Sequence, residues 1–165
     1  MADKITGSEA LIKAILEEDV KTVFGYPGGT IMPLYDKLYD YQDRLSHILV
    51  RHEQGAVHAA EGFARSTGQV GVCLATAGPG ATNFVTGIAD AMMDSTPIVC
   101  ITAQVEASQL GTNFFQEADM LGITSPITKW NYQITTAEEI LDVIPQAFHV
   151  ARTGRPGPVL ISITK

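Results

Sequence analysis

The chain has 165 residues, 45% of them hydrophobic, with a net charge of −7 and a pI of about 4.9. That length suits one domain with a real core, and the acidic balance argues against nucleic acid as a main partner, because phosphate contacts need clustered Lys and Arg. The longest apolar runs, such as 70–77, are far too short to cross a bilayer, and Met1-Ala2-Asp3-Lys4 carries no signal pattern, so nothing directs the chain out of the cytoplasm.

Short β-branched runs alternate with helical stretches along the chain. A helix is expected over Ser8–Glu18, then a strand over Thr22–Tyr26, a helix over Thr30–Tyr39 and a strand over His47–Arg51. Next come a helix over Glu53–Thr67, a strand over Val70–Thr76, a helix over Gly80–Met93 and a strand over Ile98–Ala103. After a polar segment from Gln104 to Asp119, a strand is expected over Ile127–Ile134, a helix over Ala137–Thr153 and a strand over Val159–Ile163. Several strands are apolar on both faces, so the expected fold is α/β: an open parallel sheet of about six strands with helices on both faces. Thr136 and Glu139 have the spacing of a capping box. Pro145 should kink or divide the last helix. Cys73 and Cys100 sit in strand-type runs and read as small buried core residues. The chain stops just after a strand, which reads as one domain, 1–165, of a longer subunit.

In open α/β sheets, ligands bind at the carboxyl ends of the strands. After the first strand comes Gly25-Tyr26-Pro27-Gly28-Gly29-Thr30. It is neither a P-loop nor a dinucleotide fingerprint, and a plain strand-to-helix turn explains it as well as a binding loop does. After the second comes Arg51-His52-Glu53-Gln54-Gly55, where a carboxylate is by itself most simply a helix cap. After the third comes Thr76-Ala77-Gly78-Pro79-Gly80-Ala81-Thr82-Asn83, whose small residues leave room for a flat ring or another chain. Phe84, Ile88, Ala91 and Met92 then form an apolar stripe, either a core face or a face for a partner subunit. After the fourth strand, Gly111 to Glu117 places two aromatics side by side, either in a cleft or as loop anchors.

Taken together and in this order, these segments, with Thr128-Lys129-Trp130-Asn131 and Thr153-Gly154-Arg155-Pro156-Gly157-Pro158, resemble the acetohydroxyacid (acetolactate) synthase family in its N-terminal pyrimidine-binding domain. The resemblance covers nearly the whole chain. It implies the thiamine-diphosphate-binding fold and a condensation of two 2-keto acids, pyruvate with pyruvate or 2-ketobutyrate, with loss of CO2, in branched-chain (isoleucine and valine) biosynthesis. It implies that Glu53 hydrogen-bonds N1′ of the cofactor's aminopyrimidine and promotes the tautomer whose 4′-imino group takes the thiazolium C2 proton. That role asks the carboxyl to share a proton with a ring nitrogen near neutral pH. A helix N-terminus favours the charged form by about 0.3–1 kcal/mol, and burial opposes it.

By the same match, Tyr26, Pro27 and Gly29 wall the pyrimidine on one side, and Thr76, Pro79 and Asn83 wall it on the other. Phe115 and Gln116 lie near the reacting centre, Gln116 also touching the cofactor, and Thr30 and Lys129 belong to a substrate channel. No metal ligand is expected in this domain. Thr30 stands where the family usually has alanine, Glu106 where it often has proline, and Asn113-Phe114 where it usually has Asp-Ala, departures that can alter acceptor preference or channel width.

The sequence has no Gly-Asp-Gly followed at distance by Asn, the family's motif for Mg²⁺ and the diphosphate. The resemblance places that motif, and most of an FAD site, in other domains. It also implies that the cofactor sits across a dimer interface, against the diphosphate domain of a neighbouring subunit, with a small regulatory subunit as a further possible partner. The chain alone is then expected to be inactive and to bind thiamine diphosphate weakly. The helix over Gly80–Met93 and the Ala56–Ala64 face are expected to be exposed apolar patches. Two other readings stay open: the pyrimidine domain of a different thiamine-diphosphate decarboxylase or carboligase, and a non-catalytic assembly domain.

Overall fold

The structure, a computed structural model, describes residues 4–165. The chain opens with helix α1 (Gly7–Glu17), capped by Thr6, whose hydroxyl accepts from the Glu9 amide at 3.2 Å. Strand β1 (Thr22–Gly25) and helix α2 (Met32–Asp40) lead to β2 (Ser46–Leu49) and α3 (Glu53–Thr67). Then follow β3 (Gly71–Ala75), the short α4 (Pro79–Thr82), α5 (Val85–Met93) and β4 (Ile98–Gln104). After a long loop come α6 (Met120–Thr124), β5 (Trp130–Ile134), α7 (Ile140–Arg152) and β6 (Val159–Thr164).

The six strands form one parallel sheet in the order β2-β1-β3-β4-β6-β5. Every residue of β3 is buried, as expected for a strand covered on both faces. Val72 and Leu74 face a core with α1, α2 and α7, while Cys73 and Ala75 face a second core with α3 and α5. Each fully buried Leu, Ile or Phe in these layers contributes about 1.5–3 kcal/mol relative to exposure. Strand order reverses between β1 and β3, which opens a crevice at the carboxyl edge of the sheet. The loops after β1, β2 and β3 all meet there.

Five expectations need correction. The helix over Gly80–Met93 is two helices, broken at Asn83–Phe84. The faces expected to be exposed are buried: Ala56, Ala60 and Ala64 of α3 pack with Phe84, Ile88 and Ala91 in the second core, leaving Met93 outside. Pro145 does not divide α7, because Ile144, Ala147 and Phe148 around it are buried and hold the helix across the one missing donor. The capping box does not form as spaced. Glu139 is itself the cap, and its carboxylate accepts from the Thr135 and Thr136 hydroxyls and the Thr135 amide. At the start of β5, Ile127 belongs to a single 3₁₀ turn, Ser125–Ile127, rather than to the strand.

The two cysteines meet across neighbouring strands. Cys73 and Cys100 are register partners, fully buried, with sulfurs 3.4 Å apart. Burial pushes the Cys73 thiol well above its ordinary pKa. Among the described residues no helix is long and apolar enough to cross a membrane.

Candidate functional site

Glu53 is the first residue of α3, where the helix meets the carboxyl edge of the sheet. The preceding His52 is the cap, its Nδ1 accepting from the Gln54 amide at 3.1 Å, so the helix start is satisfied without the Glu53 side chain. Glu53 is instead turned inward and only 8% exposed. The Asn83 side-chain amide donates to its Oε2 at 2.9 Å. The other oxygen, Oε1, takes no hydrogen bond from the described chain and is not sealed from solvent. A methyl group added at Gly80 would lie 3.1 Å from Oε1 and 2.7 Å from Thr76 Cγ2. Gly80 therefore keeps the space beside the free oxygen open.

Thr76 and Thr30 close the wall behind this space. Their hydroxyls lie 2.8 Å apart, and Thr30 Oγ1 also accepts from the Ala77 amide at 2.9 Å. Thr30 thus stitches the loop after β1 to the loop after β3, and its hydroxyl is spent on that link. Gly28 touches the same threonine: a Cβ there would come within 2.5 Å of Thr76. Tyr26 and Gly29 are exposed, and Pro27 is partly buried beside them. Pro79 is exposed at the start of α4.

The loop after β4 reaches back over the same edge. Gly78 has φ 62°, and a Cβ on it would lie 2.6 Å from the Gln116 carbonyl oxygen. The Gln116 backbone therefore rests on the Gly-Pro-Gly turn, while the neighbouring Phe115 ring is 80% exposed. Gln104 at the end of β4 ties the loop down, donating to the Ala118 carbonyl at 2.8 Å.

Tyr35 and His47 lie beneath the first loop, a pair to which the sequence reading assigned no role. The Tyr35 hydroxyl is 3.1 Å from His47 Nε2, the rings meeting edge to face at 4.9 Å. Burial pushes the Tyr35 hydroxyl far above its ordinary pKa, and the Glu53 charge adds to the shift. Burial lowers the His47 pKa, against a hydrogen bond to the Gly25 backbone. No sequence spacing marks this pair, because it is made by packing α2 on the edge strand.

Lys129 is not brought to Glu53. It precedes β5, at the opposite edge of the parallel sheet, and its ammonium caps the Val150 and Thr153 carbonyls at the end of α7, the latter at 2.7 Å. Desolvation lowers its pKa. A cavity of about 340 Å³ lies between the first turns of α1, α2 and α7, lined by Leu11, Ile31, Ile101, Ile134, Ile140 and Ile163. Thr30 borders it, but Glu53, Asn83 and Phe115 do not. His58, Glu61 and Asp90 are close enough to share a cation. Arg65 already supplies that charge, 3.7 Å from Glu61, 3.8 Å from Asp90 and 2.7 Å from Asp94.

Residues 5–123 match the family described as thiamine pyrophosphate enzyme, N-terminal TPP binding domain. The chain is 54% identical to an acetolactate synthase of Arthrospira platensis over 98% of its own length and 28% of the relative's. It is 54% identical to the acetolactate synthase large subunit of Corynebacterium glutamicum, over 99% of its length and 26% of the relative's. To the large subunit of Pyropia yezoensis it is 52% identical, over 97% and 28%. The chain spans about a quarter of the length of these relatives. With its six-stranded parallel sheet and its buried glutamate at the carboxyl edge, it belongs to the thiamine pyrophosphate enzyme family, as the N-terminal TPP-binding domain.

Proposed function

We propose that this chain is the pyrimidine-binding part of an acetolactate synthase, and that Glu53 is the residue through which it activates the cofactor. The observation that carries the reading is the state of the Glu53 carboxyl. One oxygen is fixed by Asn83, and the other faces a space that Gly80 keeps clear. A planar nitrogen heterocycle fits such a cleft. Its ring nitrogen would meet Oε1, with Tyr26, Pro27 and Gly29 on one side and Thr76, Pro79 and Asn83 on the other.

Thiamine diphosphate, when bound, supplies the thiazolium carbon that attacks the 2-keto acid. The chain's own part is to hold and orient. Glu53, only 8% exposed, presents Oε1 to the ring nitrogen as the group that exchanges a proton with it. Asn83 keeps the carboxyl in one rotamer, and the Thr30–Thr76 link fixes the wall behind it. Gln116 and the exposed Phe115 stand where a second keto acid would approach.

The remaining parts of the reading rest on the likeness to the longer relatives. Mg²⁺, the diphosphate and FAD would be held by domains beyond this one, with the cofactor between this domain and the diphosphate domain of a neighbouring subunit in a homodimer. Lys129, remote from Glu53 within one chain, would then serve a substrate channel only as part of that assembly. The test is acetolactate formation from pyruvate by a protein that carries this domain together with the remaining domains of its longer relatives. Glu53→Gln should lower kcat by about 10²–10⁴-fold, the usual scale of a lost general acid–base group. An unchanged rate would overturn the role of Glu53, and no acetolactate from the wild type would overturn the activity.

A further inference from the structure

The loop after β4 contains a carboxylate that the proposed reaction does not use. Glu117 turns back across its own loop. Its Oε1 accepts from the Gly111 amide, and its Oε2 accepts from the Phe114 amide at 3.1 Å. Its own amide donates to the Phe114 carbonyl at 2.8 Å, closing the turn. The backbone it encloses is unusual: Gly111, Asn113 and Gln116 have φ 77°, 57° and 65°. Asparagine tolerates the left-handed region, but at Gln116 such backbone persists only where the surroundings over-determine it. Side-chain packing does not supply that here, because Phe115 is 80% exposed and Phe114 is exposed too. Hydrogen bonds supply it instead: those to the Glu117 carboxylate, the Thr112 hydroxyl donating to the Gln109 carbonyl at 2.6 Å, the seat of Gln116 on Gly78, and the tether from Gln104 to Ala118.

We propose that Glu117 is a positioning residue that fixes where Phe115 and Gln116 are presented at the carboxyl edge. Without its carboxylate the amides of Gly111 and Phe114 lose their partners, and only the Thr112–Gln109 and Glu117–Phe114 bonds are left to hold the turn. The hydrogen bonds hold the Glu117 carboxyl below its ordinary pKa, the Gly111 amide contributing most, so the brace is a charged acceptor. Phe115 and Gln116 lie at the end of this turn, so the geometry that reaches a second keto acid depends on Glu117 without Glu117 touching it. The importance of this for catalysis rests on the function proposed above; the brace itself does not.

Two measurements separate the parts. In this chain, Glu117→Ala should speed hydrogen exchange at the Gly111 and Phe114 amides by about tenfold or more, leaving strand amides such as Val99 and Ile161 unchanged. Glu117→Gln, which keeps one acceptor oxygen, should give a smaller change. Unchanged exchange at both amides in both variants would overturn the brace. In a protein containing the partner domains, Glu117→Ala should raise KM for the second keto acid by about tenfold with kcat changed by less than about threefold, a loss of binding rather than of chemistry, and Glu117→Gln should restore part of it. Faster exchange with unchanged kinetics would overturn the positioning role. Absence of acetolactate formation by the wild type would strike the proposed function and leave the exchange result standing.

Discussion

The Asn83 side chain donates to Glu53 Oε2 at 2.9 Å, joining the break between α4 and α5 to the first residue of α3. Were residues 80–93 one unbroken helix, as the sequence pattern alone predicts, Asn83 would lie within it. The break is what sets this asparagine against the carboxyl. Asn83→Ala should therefore lower acetolactate synthesis by about 10–100-fold, since a hydrogen bond to a charged group is worth about 1.5–3 kcal/mol. Its effect should vanish in a Glu53→Gln background, a non-additivity that steady-state rates of the double variant would read.

Gly78 and Gly29 should respond in opposite ways to a methyl group. Gly78 has φ 62° and the Gln116 backbone 2.6 Å from where a Cβ would stand, whereas nothing lies within 4 Å of that position on Gly29. Gly78→Ala should cost about 1–3 kcal/mol, and Gly29→Ala less than about 0.5 kcal/mol. Urea denaturation of the two variants checks this.

Thr30 should govern stability rather than substrate choice. Its hydroxyl is committed to Thr76 and the Ala77 amide. Replacing it by the alanine usual in the family should cost about 0.5–1.5 kcal/mol per hydrogen bond lost. The ratio of products from pyruvate and 2-ketobutyrate in competition should not change.

His47 gives a pH dependence of defined sign. Burial lowers its folded pKa, so between that value and the unfolded pKa of about 6.5 the unfolded chain binds more protons. Stability contributed by neutral His47 is present above about pH 6.5 and is lost as pH falls through this window. The half-buried carboxylates whose pKa is lowered, such as Glu9 and Glu139, lose theirs only at lower pH, below their unfolded values near 4.5. The urea midpoint should fall between pH 7.5 and 5.5, and fall less in His47→Asn.

Cys73 and Cys100 should be silent to a thiol reagent in the native chain. Both are fully buried, and burial raises the Cys73 thiol well above its ordinary pKa. Titration with a chromogenic disulfide should find neither thiol before denaturation and both after it.

The alternation of apolar runs and helical stretches was enough to determine the α/β class, the number of strands and their order along the chain, and the three loops that meet at Glu53. These are local properties, set by periodicity and by where glycine and proline interrupt it. The family likeness legible in the loops picked out Glu53 and Asn83. Other features were decided only in three dimensions. The hydrogen bond between Asn83 and Glu53, the turning of the Thr30 hydroxyl toward Thr76, the Tyr35–His47 pair and the brace made by Glu117 each join atoms whose neighbours are chosen by packing. Lys129 shows the same limit from the other side: the parallel order of the strands puts it at the far edge of the sheet from the residues it was grouped with. Sequence spacing describes one element at a time, and which elements face each other is settled by burying both faces of the sheet at once.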